Sequence, residues 1–80
     1  MEISQLEYFV ILARIKHFTK AARSVAITQS ALSHSIGKLE RELNVSLFDR
    51  TEQGVFLTSA GEYFLSHAEK ALNELKKGQK

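Results

Sequence analysis

Apolar residues recur at helical intervals in four stretches of the chain and gather into two short β-prone runs in a fifth. Ile3, Leu6, Phe9, Val10 and Ala13 mark the buried side of a first helix opened by Ser4. His17 and Phe18 interrupt that pattern. Thr19 is then the expected N-cap of a short second helix, with Ala21, Ala22, Val25 and Ala26 facing inward. Its alanines permit close approach to a neighbouring helix. After Ile27, Thr28 caps a third helix that ends near Asn44, with the stripe Leu32, Ile36, Leu39 and Leu43. So brief a turn between two helices suits a helix-turn-helix unit, although a plain antiparallel helical hairpin satisfies the same signals.

The β-prone runs, Leu47 to Arg50 and Val55 to Leu57, flank Thr51-Glu52-Gln53-Gly54, where Gly54 supplies the positive φ of a tight reversal. A lone hairpin is marginal, so Leu47, Phe48 and Leu57 are expected to pin it to the helices as a wing. Ser59 and Glu62 form an S-x-x-E capping box, with Thr58 as a competing cap. The final helix, Ala60 to Lys76, is about 25 Å long, more than closing so small a core requires. Its apolar positions are Tyr63, Phe64, Leu65, Ala68, Ala71, Leu72 and Leu75. They make a stripe wide enough for a dimer seam, and folding back onto the same domain would use the same residues.

Composition narrows the class. Eighty residues make one small domain, and 44% apolar with 25% charged residues is ordinary for a soluble globular chain. There is no cysteine, which excludes disulfides, thiolate metal sites and cysteine nucleophiles. The start, MEISQLEYF, lacks the basic-then-apolar order of a secretory leader, and no apolar run approaches a membrane span. The expectation is a soluble, cytoplasmic domain without a membrane partner. Net charge is only +2, but between Glu7 and Glu40 stand five basic residues and no acidic one. A polyanion, most often nucleic acid, and a merely solvated basic surface both fit that asymmetry.

The third helix adds a second asymmetry. Opposite its apolar stripe lie Gln29, Ser30, Ser33, His34, Gly37, Lys38 and Arg41. An ordinary solvated face mixes Glu, Lys and Arg; this one has short hydrogen-bonding groups, no acid, and its positive charges at the far end. Catalysis has no comparable support. His17, His34 and His67 fall on separate elements without metal-ligand spacing, and there is no phosphate-cradling glycine loop or nucleophile–base pair. The expectation is no catalytic residue, no metal site and no cofactor.

In order, the chain presents a T-x-A-A helix, a T-Q-S-A-L-S-x-x-I-x-x-L-E helix, L-F-x-R, then G-x-x-L-T-x-A-G and a long helix. This arrangement resembles the DNA-binding domain of LysR-type transcriptional regulators across essentially the whole chain. The resemblance implies a mainly α fold, a winged helix-turn-helix of three helices plus a short β-hairpin wing over residues 1–58. A long dimerisation and linker helix would occupy 59–80, the linker starting at Lys76 to Lys80. It also implies a bacterial regulator of transcription, several-fold longer, whose inducer-sensing domain follows and would hold any small molecule. The implied partners are double-stranded DNA and a second copy joined through the C-terminal helix, with a tetramer open to the full-length protein.

A recognition helix in the major groove must avoid carboxylates, which phosphates repel, and bulky groups, which hold its backbone away. Gln29, Ser30, Ala31, Ser33 and His34 are the base-reading candidates, with Gln29 suited to adenine N6 and N7 and Ala31 to a thymine methyl. Thr19, Lys20, Thr28, Gly37, Lys38 and Arg50 are candidates for the phosphate backbone, while the threonines as simple caps and Lys38 as a solvated lysine are the plain alternatives. Arg50 could equally pair with Glu40 or Asp49. Glu52, Gln53 and Gly54 form the wing tip, and Tyr63, Phe64, Ala68, Leu72 and Leu75 the dimer face. Three positions depart from the family pattern. His34 stands where arginine is frequent, which predicts a different base preference and binding that strengthens as the imidazole charges. Glu52-Gln53 replace a frequent arginine at the wing, so Glu52 should point away from DNA. Lys16-His17 replace small residues and add charge near the backbone. The rival function is a protein-interaction module acting through the final helix.

Overall fold

The computed structural model describes residues 1–78. Helix α1 spans Ile3–Ile15, α2 Phe18–Ser24 and α3 Gln29–Leu43; strands β1, Phe48–Thr51, and β2, Gly54–Leu57, precede α4, Ser59–Lys77. This is the mainly α, winged helix-turn-helix arrangement that the resemblance implies. Of the linker start expected at Lys76 to Lys80, the last two residues lie outside the described residues.

The core is assembled around α1. Phe9 and Leu12 are fully buried there, and Leu32, Ile36 and Leu39 of α3 and Leu47 before the wing meet them. Ala21 and Ala22 of α2 are buried as well, and their small side chains let α2 pass close to its neighbours. The Phe9 ring touches two other rings, Phe48 of β1 at 5.4 Å and Phe64 of α4 at 5.2 Å between centroids. Helix α4 therefore shares this core: Ala68 is buried in it and Phe64 packs against it. The division at Thr58 marks the start of α4, not the edge of the core.

Several helix ends differ from expectation, each for a local reason. Glu2, not Ser4, caps α1. Its backbone N–H donates to Gln5 Oε1 at 2.7 Å, so Gln5 closes the helix from its third position. Ile3, expected inside, is 54% exposed because it lies in the first turn, ahead of the core. His17, not Thr19, caps α2: its Nδ1 accepts from the Lys20 N–H at 3.2 Å. Ala26 is exposed rather than inward, since it takes the left-handed conformation (φ 59°) that turns the chain from α2 into α3. Thr58 prevails over Ser59 at α4. Its hydroxyl accepts from the Gly61 N–H at 3.0 Å and donates to the Ser46 carbonyl at 2.6 Å, joining helix and wing.

The two strands pair antiparallel, Phe48 opposite Leu57 and Thr51 opposite Gly54, leaving Glu52-Gln53 as a two-residue turn. Gly54 has φ 139°, and beside it the Val55 N–H reaches the Lys16 carbonyl at 3.4 Å. The tip end of the wing thus leans on the bend between α1 and α2. Buried Gln5 donates through Nε2 to Glu42 Oε1 at 3.1 Å, tying the start of α1 to the end of α3. That hydrogen bond, then the N-terminal ammonium, holds the Glu42 carboxyl below its ordinary value. The tie is complete above the unfolded carboxyl's titration and is lost as pH falls through the lower folded value.

Gly61 marks the closest approach of α4 to the wing. A Cβ built there would overlap the Leu47 carbonyl oxygen and come within 2.9 Å of Leu57 Cδ2. The Gly61→Ala variant is expected to lose about 1–3 kcal/mol of stability, the cost of overpacking against backbone that cannot yield. Urea melts read this directly, and an unchanged midpoint would contradict the close approach.

Candidate nucleic-acid interface

Helix α3 has one face sealed and one open. Leu32, Ile36 and Leu39 are essentially inaccessible, which holds the opposite face to solvent. Gln29, Ser30, Ser33 and His34 line a single shallow, open depression over the first turns, with Ala31 exposed beside it. The structure therefore brings all five base-reading candidates together at the helix N-terminal end. Lys38 is exposed further along. Thr28 caps the helix, its Oγ1 accepting from the Ala31 N–H at 3.0 Å and keeping its own proton free to donate.

The acids of this helix account for the composition of its open face. Glu40 and Glu42 lie in the last turn, where the helix dipole disfavours a carboxylate. Both are engaged within the domain. Glu40 Oε2 accepts the backbone N–H groups of Leu47 at 2.7 Å and Phe48 at 3.3 Å, fixing the entry to the wing. Glu42 holds Gln5 and the N-terminal ammonium. Sequence reasoning gave neither acid its structural partner; an acid in a helix's last turn, against the dipole, was the available signal.

Other candidates have acquired neighbours. Thr19 is half-buried on α2 and donates its hydroxyl to Gln29 Oε1 at 2.9 Å. Lys20 is exposed next to it. Arg50 pairs with neither Glu40 nor Asp49 among the described residues; its guanidinium lies 4.5 Å above the Phe18 ring, strapping β1 to the start of α2. This contact joins residues far apart in the chain and leaves no local trace in the sequence. Glu52 and Gln53 are exposed at the wing tip, where the Gln53 N–H donates to Thr51 Oγ1 at 3.2 Å. Gly37 faces outward, and a Cβ there would meet Arg41 Nη1 at 3.3 Å, so the glycine leaves room for the guanidinium to lie along the helix.

On α4, the expected dimer face divides. Ala68 is buried and Phe64 half-buried, both packed within their own domain. Tyr63 is 72% and Leu75 44% exposed, while Leu72 is half-buried. Leu72 and Leu75 join Ile3 and Val10 in an open groove between α1 and α4. Among the described residues no group of three or more His, Asp or Glu is placed to hold a metal ion, and no helix is long and apolar enough to cross a membrane.

A helix with an acid-free open face behind a short alanine-rich helix, with a hairpin strapped alongside, defines a winged helix-turn-helix protein. The sequence profile of the bacterial regulatory helix-turn-helix proteins of the lysR family matches residues 3–62, and the chain belongs to that family. It is 48% identical over 79 residues to the HTH-type transcriptional regulator YybE of Bacillus subtilis (strain 168), covering 99% of this chain and 27% of YybE. Its fold superposes on the DNA-binding domain of CbnR, solved as a complex with DNA, with a TM-score of 0.94 at 32% identity, over 98% of this chain and 90% of that one. The BenM DNA-binding domain, solved on catB site 1 DNA, gives 0.92 at 38% identity, over 96% and 83%. The chain spans about a quarter of the length of YybE and of AlsR, another Bacillus subtilis regulator that it matches (27% and 26%).

Gly37 gives a test that separates folding from binding. Glycine inside a helix costs about 1 kcal/mol relative to alanine, and the only near neighbour of an added Cβ is the end of an exposed, flexible arginine. Gly37→Ala should therefore raise the unfolding midpoint. If the bare helix surface serves close approach to DNA, the same variant binds DNA more weakly. Higher stability with unchanged affinity would make Gly37 a tolerated surface glycine.

Proposed function

We propose that this domain is the sequence-specific DNA-reading unit of a bacterial LysR-type transcriptional regulator, acting as a two-fold pair on a partly palindromic operator. The observation that carries this reading is the open face of α3, which bears no acid; the two glutamates of the helix sit in its last turn, bonded to the entry of the wing and to Gln5. Helix α3 enters the major groove. Gln29, Ser30, Ala31, Ser33 and His34 meet base edges. Lys20, Thr28 and Lys38, with Arg50 from the wing, neutralise or bond phosphates. Histidine at position 34 offers fewer donors than arginine, which makes this operator's preference its own. Glu52 at the wing tip faces away from the duplex, leaving the wing a positioning device rather than a reader of the minor groove.

The second copy is proposed to cover the groove between α1 and α4, where Ile3, Leu72 and Leu75 are open. Antiparallel pairing through α4 would set the two recognition helices about 34 Å apart, or a multiple of that. For the whole protein, a tetramer and an inducer-sensing region beyond this domain follow from the family. The domain itself is assigned no cofactor and no catalysis, and its setting is the bacterial cytoplasm. The family's regulators of transcription favour this reading over a protein-interaction module built on α4.

In vitro selection from random duplex DNA at moderate salt tests both halves. The wild-type chain should enrich an inverted repeat, with log K falling by roughly 0.9 per phosphate neutralised for each tenfold rise in salt. The Leu75→Glu variant should enrich single half-sites without fixed spacing. Failure of both proteins to bind DNA would contradict the proposal, and an inverted repeat retained by Leu75→Glu would contradict the dimer face.

A further inference from the structure

Thr19 is freed from capping by its neighbour. His17 takes the Lys20 N–H, and the Thr19 hydroxyl crosses from α2 to α3, where it donates to Gln29 Oε1 at 2.9 Å. A hydroxyl has one proton. While that proton is held by Gln29, none remains for a phosphate oxygen, so the threonine side chain acts on a side chain and not on the DNA backbone.

The effect falls on the carboxamide. Gln29 is the first residue of α3 and exposed. Bonded to Thr19, the amide turns its oxygen back to α2. The Nε2 group, with two N–H donors, is the end without a partner among the described residues. An adenine pair needs both ends in the base plane, Oε1 accepting from N6 and Nε2 donating to N7. A guanine edge presents two acceptors, O6 and N7, and a thymine edge one, O4. The two Nε2 donors can meet both guanine acceptors, whereas adenine N7 and thymine O4 each offer them a single one.

Resting on the reading of α3 as the base-reading helix, we propose that Thr19 is a specificity-determining positioning residue. By anchoring Gln29 Oε1 it presents the amide N–H groups to the groove, so that the base facing Gln29 is selected as a two-acceptor edge, guanine, against adenine. Selection at that position is then set by α2, an element that need not touch a base.

The test is competition binding by the 80-residue chain on duplexes varied one base pair at a time around its selected site. Four proteins are compared: wild type, Thr19→Val, Thr19→Ser and Gln29→Ala. Gln29→Ala should flatten preference at one position per half-site and so locate the contact. Wild type should favour guanine there by about fivefold or more over adenine, the discrimination of one good base contact. Thr19→Val, which keeps the shape and removes the hydroxyl, should let adenine compete at that position alone. Thr19→Ser should behave as wild type. A Thr19→Val profile unchanged in preference but weaker on every duplex, with a shallower salt dependence, would overturn the proposal and make Thr19 a phosphate donor. Adenine preferred by wild type at the Gln29 position would also overturn it. Gln29→Ala without effect at any position would overturn the reading of Gln29 as a base contact, and the proposal with it.

Discussion

The Phe9 ring is the contact on which the remaining geometry depends. It sits at the centre of α1 with no exposure and touches Phe48 of the wing on one side and Phe64 of α4 on the other. Edge and tilted ring pairs of this kind contribute about 0.5–1.5 kcal/mol beyond their burial, and removing a buried phenylalanine costs about 3–5 kcal/mol. Small domains have only about 5–15 kcal/mol in total. One side chain thus sets how the wing and the long helix sit against the helix-turn-helix. Loss of that ring would loosen the wing and α4 against the helix-turn-helix.

A second constraint acts on α3. The helix must bury one side completely and present the other to a polyanion, so its acidic residues have to be answered inside the domain. Glu40 does this by accepting two backbone N–H groups where the chain enters the wing. Glu42 does it through Gln5 and the chain's own ammonium. Stability and electrostatics are therefore coupled: the groups that hold α3 to the wing and to α1 are the same groups that would otherwise spoil its charge. Asn44, in the left-handed conformation (φ 56°), then ends the helix immediately beyond them.

What the sequence made legible was periodic or local. Leu32, Ile36 and Leu39 at helical spacing named the buried side of α3. Thr28 read correctly as its cap because capping involves only the next few residues. Gly54 and the flanking β-prone runs located the hairpin, and the motif order pointed to the family. The misreadings share a physical cause. Thr19 looked the better cap on residue type, yet His17 precedes Phe18, and burial of Phe18 pulled the helix start forward by two residues. Ile3 fitted the stripe of α1 but stands where there is nothing yet to pack on. Arg50 on Phe18, Glu40 on the wing and Thr19 on Gln29 each join segments apart in sequence, and no spacing rule sees them. Phe64 and Ala68 belonged to a stripe wide enough for two surfaces; only packing divides it into a core half and an open half.

The central claim is that the acid-free face of α3 is where DNA lies. Amide nitrogen–proton correlation spectra of the chain, titrated with a duplex bearing its selected half-site, test it most directly. The account predicts the largest shifts along the open side from Thr28 to Lys38 and at Thr19 and Lys20, with smaller ones at Arg50. Shifts confined to Tyr63 through Leu75 of α4, with α3 silent, would contradict it.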